Sequence, residues 1–523
     1  MAADLRLSGA QLSPREESDI RYNYVNEAQI VAASTQLGGT QPMHYSTDGG
    51  ATWQQSSLPP FTGDARQGDP TIDWTSDGTA WSITIGISPT TQLVLRSFKS
   101  IDAGATWAFD SNVSSTQTNM DREALWIDHS RSSPHRDNMY VTWHNSLPCF
   151  VSRRIGPNGT WQAQVQVSGG ETTGTAIGGD IKTNANGDVF VFWPDTVSQN
   201  LFLAKSTDGG ATFSAFSAPV PIAKSFGAGF IKIPAQAGRS CLIYLSGGAY
   251  RAGTKDLVYA TWTDLAGGAG CNASGNQPGS NTASLCKTRI WFARSTDGGA
   301  TWEPPRKLND QSSLNDQFFQ RLAVDETTGA LVVVYYDTVK DPSRLKTDLW
   351  MQASVDDGAT WSSAVQVTSA ETDETSAGAE SDFQYGDYIG LTGHAGQFFA
   401  CWTDRRGGGF EEIWGAPLPK WADNNLTGFA HGVPAAAGSA LDGYGQADGS
   451  QHVNFVDANE NVHELYRSPD SAAQWIDSNL TNLSGGTPAA AGTGLDGYGQ
   501  ADGSQHVNFV DANGDVHELY SVL

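Results

Sequence analysis

The sequence of 523 residues predicts an all-β chain of short strands, with one long series of repeated units followed by a separate tandem repeat. Three observations carry this reading. Glycine (58 residues) and tryptophan (17) are plentiful while charged residues make up only 17%; that balance suits many short strands joined by tight turns. One turn-like octapeptide recurs five times. A paired-strand pattern recurs seven times between residues 19 and 404, and long helical periodicity is absent. The length exceeds a single ordinary core, so two or more folded units are expected.

The octapeptide is S-x-D-x-G-x-[TS]-[WF], at 46–53, 100–107, 206–213, 295–302 and 354–361. Its chemistry is that of a hairpin turn. Asp48 accepts hydrogen bonds from backbone N–H groups ahead of it. The glycines tolerate positive φ, Ser46 braces the turn, and Trp53 closes it by packing inward. These aspartates therefore read as turn braces rather than catalysts.

The longer pattern is an apolar strand, a Gly or Asn turn, and a second apolar strand that often ends in W-x-D. Its copies lie at 19–34, 69–87, 121–145, 179–195, 239–264, 318–337 and 386–404. Boxes follow the first, second, fourth, fifth and sixth copies, and SRRIGPNGTW (152–161) looks like a decayed box after the third.

With these boxes the chain resembles the Asp-box, or BNR-repeat, family that includes sialidases, over roughly residues 4–418. In that family the box joins the third and fourth strands of a propeller blade. The resemblance implies a propeller, and the seven copies of the paired-strand pattern make residues 1–419 a seven-bladed Asp-box β-propeller, a departure from sialidases, which have six blades. The seventh blade lacks a fourth strand. Leu5–Ser8 (LRLS) reads like Val365–Thr368 (VQVT) and is expected to close the ring, removing an open edge.

Sialidases of the family use an Arg-Ile-Pro motif, three arginines on the substrate carboxylate, a Tyr–Glu pair and an Asp acid/base. The motif is absent here, and Asp19-Ile20-Arg21-Tyr22 stands in its place. Arg122, Arg321 and Arg405 lie in other blades. Loops leading into the first strand of each blade share a face with loops leaving the second; the boxes lie on the opposite face. The shared face collects Asp69, Asp121, Arg122, Glu123, Asp180, Asp316, Tyr385 and Asp387 from the first set, and His144, Asp195, Asp264, Asp337, Asp404, Arg405 and Arg406 from the second. Asp195, Asp264, Asp337 and Asp404 recur at one blade position and read as strand-end braces. Residues that break the repeat are better candidates: the catalytic set is Arg122, Glu123, Tyr385, Asp387 and Arg405, with His144 and Arg406 beside it. Glycoside cleavage needs two carboxyl groups about 5–10 Å apart. The same carboxylates would suit a Ca²⁺ ion, which wants several oxygen ligands; no other cofactor is implied.

Residues 420–523 form a tandem repeat with a period of 54: VPAAAGSALDGYGQADGSQHVNFVDANENVHELY (433–466) returns at 487–520, and WADNNLT (421–427) returns as WIDSNLT (475–481). Asp-Gly and Asn-Gly turns separate short strands. The repeat resembles the blades of fucose-lectin-type propellers in its apolar strand, N-G-type turn and x-x-E-x-[YW] ending. The resemblance places Glu464 and Glu518 on the sugar-binding Glu, and Tyr466 and Tyr520 near the aromatic wall. The binding Arg has no counterpart: Val453 and Val507 stand near its slot, with His452 and His506 beside them. Two lectin-like β-blades cannot close a ring. Assembly into a homotrimer through them is one expectation, and docking on the large propeller is the alternative.

The formal charge of −25 repels phosphate backbones, which argues against nucleic acid as a partner. No apolar run approaches the roughly 20 residues that span a bilayer. MAADLRLSGA lacks a signal h-region, which fits a cytosolic protein or a mature form whose leader has been removed. N-x-[ST] sequons at Asn112, Asn158, Asn272, Asn425, Asn479 and Asn482 favour the second, as does the pair Cys271 and Cys286, placed to staple a Gly/Asn/Ser-rich insertion. The expectation is a secreted, glycan-directed protein: a sialidase-like exo-glycosidase with a lectin appendage, a non-catalytic lectin or adhesin, or a scaffold for protein partners.

Overall fold

The computed structural model describes residues 4–9, 13–114, 116–146, 148–168, 176–213, 220–225, 230–268, 270–271, 276–418, 427, 430, 432–446, 450–468, 475–500 and 504–521. The chain divides into two compact units, Met1–Trp421 and Ala422–Leu523. It is almost entirely β; Leu480–Ser484 is a single short helix among the described elements.

The first unit holds seven four-stranded antiparallel sheets. Their inner strands are Arg15–Tyr22, Arg66–Trp74, Met120–Ile127, Asp180–Thr183, Leu245–Ala252, Gln317–Val324 and Gly390–His394. Six sheets run outward in chain order; the first, for example, continues through Ile30–Gln36, Pro42–Ser46 and Gln54–Ser57. In the sheet that begins at Gly390, Gln397–Asp404 and Glu412–Pro417 follow, and the outermost strand is Leu5–Arg6, with Leu5 opposite Gly415. Each inner strand packs beside the next, and Gly390–His394 lies beside Arg15–Tyr22.

Inner-strand side chains fasten these neighbours to one another. Asp19 Oδ2 accepts from the Ile72 N–H (2.9 Å), Asp73 Oδ2 from Ile127 (2.8 Å) and Asp180 Oδ2 from Gly247 (2.8 Å). Ser246 Oγ accepts from Leu322 (3.0 Å) and Thr392 Oγ1 from Tyr22 (3.2 Å). Apolar layers fill the space between sheets: Val31, Ala33 and Met43 pack with Ile72, Trp74 and Phe98. Leu7, Ile20 and Tyr22 pack with Phe399, Cys401 and Ile413. Trp74, Trp81, Trp143, Trp193, Trp262 and Trp402 are fully buried, and burying a large apolar side chain contributes roughly 1.5–3 kcal/mol.

The box turns are built by their own side chains. In the first, Asp48 Oδ1 accepts from Thr52 N (2.9 Å) and Ser46 Oγ (2.8 Å), and Asp48 Oδ2 accepts from Thr52 Oγ1 (2.6 Å). Trp53 Nε1 donates to Gly50 O (3.1 Å). Gly50 has φ +90° and lies so close to Phe399 that a Cβ would come within 2.5 Å of the ring, so both backbone and packing require glycine there. The same Ser–Asp–Thr arrangement recurs at Asp102, Asp208, Asp297 and Asp356.

A two-stranded hairpin, Phe230–Ile233 with Gln236–Leu242, is inserted between the fourth and fifth sheets. Cys271 and Cys286 form a disulfide, while Cys149, Cys241 and Cys401 are buried free thiols.

In the second unit, Asp442–Gly445, Gln451–Val456, Val462–Arg467 and Ile476–Asn479 form a four-stranded sheet. Asp496–Gly499, Gln505–Val510 and Val516–Ser521 form a three-stranded one. Val456 and Val462 pack with Ala489, Val507 and Phe509, joining the repeats through one small core. The copy WADNNLT lies almost wholly outside the described residues.

Candidate functional site

Four inner strands of the large unit carry the same irregularity near their start. The register slips between Glu16 and Asp19, Gly68 and Thr71, Asp121 and Ala124, and Phe318 and Arg321. Within each slip a non-glycine residue takes a left-handed conformation: Glu17 (φ 54°), Asp69 (53°), Arg122 (52°) and Phe319 (49°). Such bulges re-aim a side chain at a cost in backbone strain and are concentrated at functional sites.

The bulges gather Glu16, Glu17, Asp69, Asp121, Arg122 and Glu123 at one end of the inner strands. Arg122 is buried, stacked over Tyr388 (4.0 Å) and Tyr244 (4.7 Å), and donates to the Glu123 carbonyl (3.1 Å). Both Glu123 carboxyl oxygens are buried without a hydrogen-bond partner. Burial, and then the Asp69 charge, push its carboxyl well above the usual range. Glu16 is pushed up to about 9 by burial and by Glu380 and Glu411. Asp69 rises to about 7 through burial and the charges of Asp121 and Asp387. A carboxyl kept protonated at neutral pH is the form a general acid needs.

Asp387 joins this group but is occupied. Arg239, from the inserted hairpin, grips it through Nε (2.7 Å) and Nη2 (2.6 Å). The hairpin is also tied down by Arg239 N to Gln384 Oε1 (3.1 Å) and Arg239 Nη1 to Asp382 O (3.1 Å). Ile231, Ile233 and Cys241 of the hairpin are buried in one cluster with Phe318, Phe319 and Tyr385. The carboxylate end is therefore roofed. A void of about 10 Å³ lies among Arg122, Tyr244, Asp387 and Tyr388; it is the size of a water site and far below that of a sugar ring.

The remaining catalytic candidates sit apart from this cluster. Tyr385 is fully buried against Phe318 and Tyr336, and its hydroxyl accepts from Thr347 Oγ1 (3.2 Å). Arg405 is buried against Glu411 (3.4 Å) and donates to the Asp373 carbonyl (3.2 Å). His144 Nδ1 accepts from Gly178 N (3.0 Å), and burial lowers its pKa. The recurring aspartates act as braces: Asp195 accepts from Val197 and Ser198 N–H groups, and Asp404 holds Arg406. Among the described residues no three Asp, Glu, His or Cys side chains are arranged to hold a metal ion.

The opposite end, on the side of the box turns, is open. A cavity of about 510 Å³ is bounded by first-to-second-strand loops, including Tyr24, Glu27, His129, Arg131, Arg251, Glu326 and His394. It narrows inward to about 50 Å³ among Arg21, Asp73, Trp126, Lys182 and Arg321. His129 Nε2 lies 2.8 Å from Asp73 Oδ1, and His129 Nδ1 lies 3.2 Å from Glu326 Oε2. Burial alone would lower its pKa; Asp73 and Glu326 outweigh this and raise it to about 10. Lys182 lies 4.7 Å over the Trp126 ring, and burial lowers its pKa to about 8. Sequence reasoning placed neither the cavity nor Glu16 and Glu17 in the site. A signal was present: REESDIRY (15–22) carries five charged residues on an innermost strand, where apolar residues are expected.

In the C-terminal unit the repeat builds the same cluster twice. His452 stacks on Tyr444 (centroids 4.6 Å apart) and leans on Tyr466 (5.1 Å). Its Nδ1 lies 2.9 Å from Glu464 Oε1, and its Nε2 lies 2.9 Å from Ser450 Oγ. His506 stacks on Tyr498 (4.9 Å) and Tyr520 (6.0 Å) and sits 3.0 Å from Glu518 Oε1. A cleft of about 380 Å³ between the repeats is lined by Glu464 of one and Tyr520 of the other, with Ser478, Gln505, Leu480 and Leu519. His452 lies behind it, fully buried, as the group that orients Glu464. Tyr444 and Tyr498 were not among the expected residues.

A BNR/Asp-box repeat is recognised at residues 44–55. No curated protein matches the chain by sequence. Among solved structures it is similar to the BP39L lectin from Burkholderia pseudomallei, with 9% identity over 89% of this chain and 98% of that one (TM-score 0.45). It is also similar to a Dyadobacter fermentans protein of unknown function, with 13% identity over 80% and 98% (TM-score 0.43). A third similarity is to the Hadza microbial sialidase Hz136, with 15% identity over 64% and 66% (TM-score 0.39).

Proposed function

We propose that the chain is a secreted carbohydrate-binding protein: a seven-bladed Asp-box propeller joined to a lectin-like pair of blades, whose inter-repeat cleft takes a sugar. The single observation that carries this is the convergence of Glu464 and Tyr520 on one cleft. They come from different copies of the repeat, and both belong to the sugar-binding set expected from sequence. A carboxylate acceptor facing an aromatic ring suits a ligand with hydroxyls on one edge and C–H groups on a face. The order of inner-strand contacts supports the seven-bladed reading.

A glycan array on the intact protein, followed by calorimetry on the hits, tests it. Glu464→Gln and Tyr520→Ala should each weaken binding by about 10- to 100-fold, the worth of a charge-assisted hydrogen bond or a stacked ring. Binding that ignores both substitutions removes the proposal. The repeats also support assembly through their strands into a homotrimer; a monomeric full-length protein in light scattering removes that part.

A sialidase-like glycosidase is the second reading, favoured by the buried Glu123, whose carboxyl burial and the Asp69 charge push well above the usual range. It requires the Arg239 hairpin to lift. Hydrolysis abolished by Glu123→Gln supports it, and hydrolysis that survives Glu123→Gln rejects it.

A further inference from the structure

The two sheets of the C-terminal unit are sequence twins in unequal surroundings. Val462–Arg467 and Val516–Ser521 share the run VHELY, and each pairs with the strand before it in the same register. Val462–Arg467 is covered on its other edge by Ile476–Asn479. Val516–Ser521 has no such neighbour among the described residues and is the outer strand of its sheet. Val462 is fully buried, whereas Val516 is 78% exposed. The covering segment supplies polar partners as well as burial. Thr481 Oγ1 accepts from the Val462 N–H (2.9 Å), and Asp477 Oδ1 lies 2.8 Å from His463 Nδ1. His517 keeps with Asp511 (3.3 Å) the pair that His463 makes with Asp457 (3.3 Å). Among the described residues no counterpart of Asp477 or Thr481 stands over the second sheet.

The covering segment belongs to WIDSNLT (475–481), whose other copy is WADNNLT (421–427). The copy retains the residues that make the bonds: Asp423 matches Asp477, and Thr427 matches Thr481. The two copies continue alike, with the Thr427 carbonyl accepting from Gly432 N (2.9 Å) and the Thr481 carbonyl from Gly486 N (3.0 Å). WIDSNLT completes the sheet of the repeat before it, so its copy is suited to complete a sheet of the same kind. The sheet that precedes it in the chain, within residues 390–417, already has Leu5–Arg6 at its outer edge. Open edges are commonly blunted by Lys, Pro or a bulge. Val516–Ser521 carries none of these, and its register is unbroken.

We propose that the open edge of Val516–Ser521 is an interaction surface for a second copy of this chain, which lays its segment 421–427 along it. Asn424 then stands opposite Glu518 and Asp423 opposite Leu519, as Ser478 stands opposite Glu464 and Asp477 opposite Leu465. Asp423 reaches His517, and Thr427 accepts from the Val516 N–H. The donor is another chain for a packing reason. The flank between the two repeats is already filled, with Val456 and Val462 against Val507 and Phe509, and two blades cannot surround an axis so that their outer flanks meet. This contact rests on the reading that the chain assembles through its repeats, and it fixes which residues meet.

Cysteine cross-linking of the full chain tests it. Asn424→Cys with Glu518→Cys puts two thiols at directly opposed positions, where Cα separations of about 4.5–5.5 Å are within disulfide reach. Mild oxidation should give reducible species of twice the chain mass or more. Cys149, Cys241 and Cys401 are buried, so the unsubstituted chain sets the background. Asp423→Cys with Glu518→Cys is one residue out of register, with the side chains on opposite faces, and should link at least about 10-fold less. Val516→Asp, at a site exposed in the single chain, should weaken self-association in sedimentation by about 10- to 100-fold, because it buries a charge on assembly. A link formed within one chain overturns the proposal. An oligomer with no preference for the in-register pair, or one that ignores Val516→Asp, overturns this contact and leaves assembly standing. A full-length protein that stays monomeric removes both.

Discussion

Replacing Glu123 by Met should stabilise the large unit, and increasingly so as pH rises from 5 to 7. Glu123 is 2% exposed and neither carboxyl oxygen has a partner. Folded, its carboxyl is held protonated by burial and by Asp69; unfolded, it ionises near the ordinary glutamate value of about 4.3. Between those two values the folded state binds one more proton, so stability falls by about 1.4 kcal/mol per pH unit. That fall with rising pH is absent from the Met variant. Removing an unsatisfied buried polar group adds about 1–3 kcal/mol that does not depend on pH. Urea unfolding followed by tryptophan fluorescence, at pH 5 and pH 7 for both proteins, reads the difference. A gap between variant and parent that is the same at both pH values would show that Glu123 is ionised when folded, and the argument for a protonated acid at this end would fail.

Arg239→Ala should unlatch the inserted hairpin, because it removes both bonds to Asp387 and leaves that carboxylate at a partly buried site. Hydrogen exchange across Phe230–Leu242 should accelerate, with a stability loss of about 1–3 kcal/mol; unchanged protection means the apolar contacts alone hold the roof. Asp297→Ala removes acceptors for Ser295 and Thr301 from an exposed turn. Solvent competition limits the expected loss to about 1 kcal/mol, seen in a urea midpoint. The box carboxylates are lowered when folded, Asp356 to about 2 although burial opposes it, because Thr360 and Ser354 donate to it. Their stabilisation is therefore complete above about pH 4 and is lost as pH falls toward 2, so the Asp297→Ala deficit should shrink in acid. A deficit that is constant down to pH 2 contradicts the brace.

Much of this molecule was legible because its instructions are local. A box turn is made within eight residues, as Ser46, Asp48, Thr52 and Trp53 show, and no distant partner can redirect it. The tandem repeat is legible for a related reason: identical residues in identical registers, His452 opposite Tyr466 and His506 opposite Tyr520, build identical clusters. Their place at the entry to the inner strands also sent Asp69, Arg122, Glu123 and Asp387 to one end.

Whether that end is usable was decided only by tertiary structure. The hairpin that roofs it reaches residues almost 150 positions away, Arg239 to Asp387, and no periodicity encodes such a contact. Tyr385 and Arg405 were drawn to the site by position in the repeat, yet packing against Phe318 and pairing with Glu411 took them elsewhere. The open cavity arises the same way. Arg21, His129, Lys182 and Arg321 come from four different sheets, and only the succession of inner strands brings them around one space. Local chemistry sets which turns and strands form; which charged side chains end up buried without a partner is a property of the assembled fold, because it depends on what every neighbouring strand has already claimed.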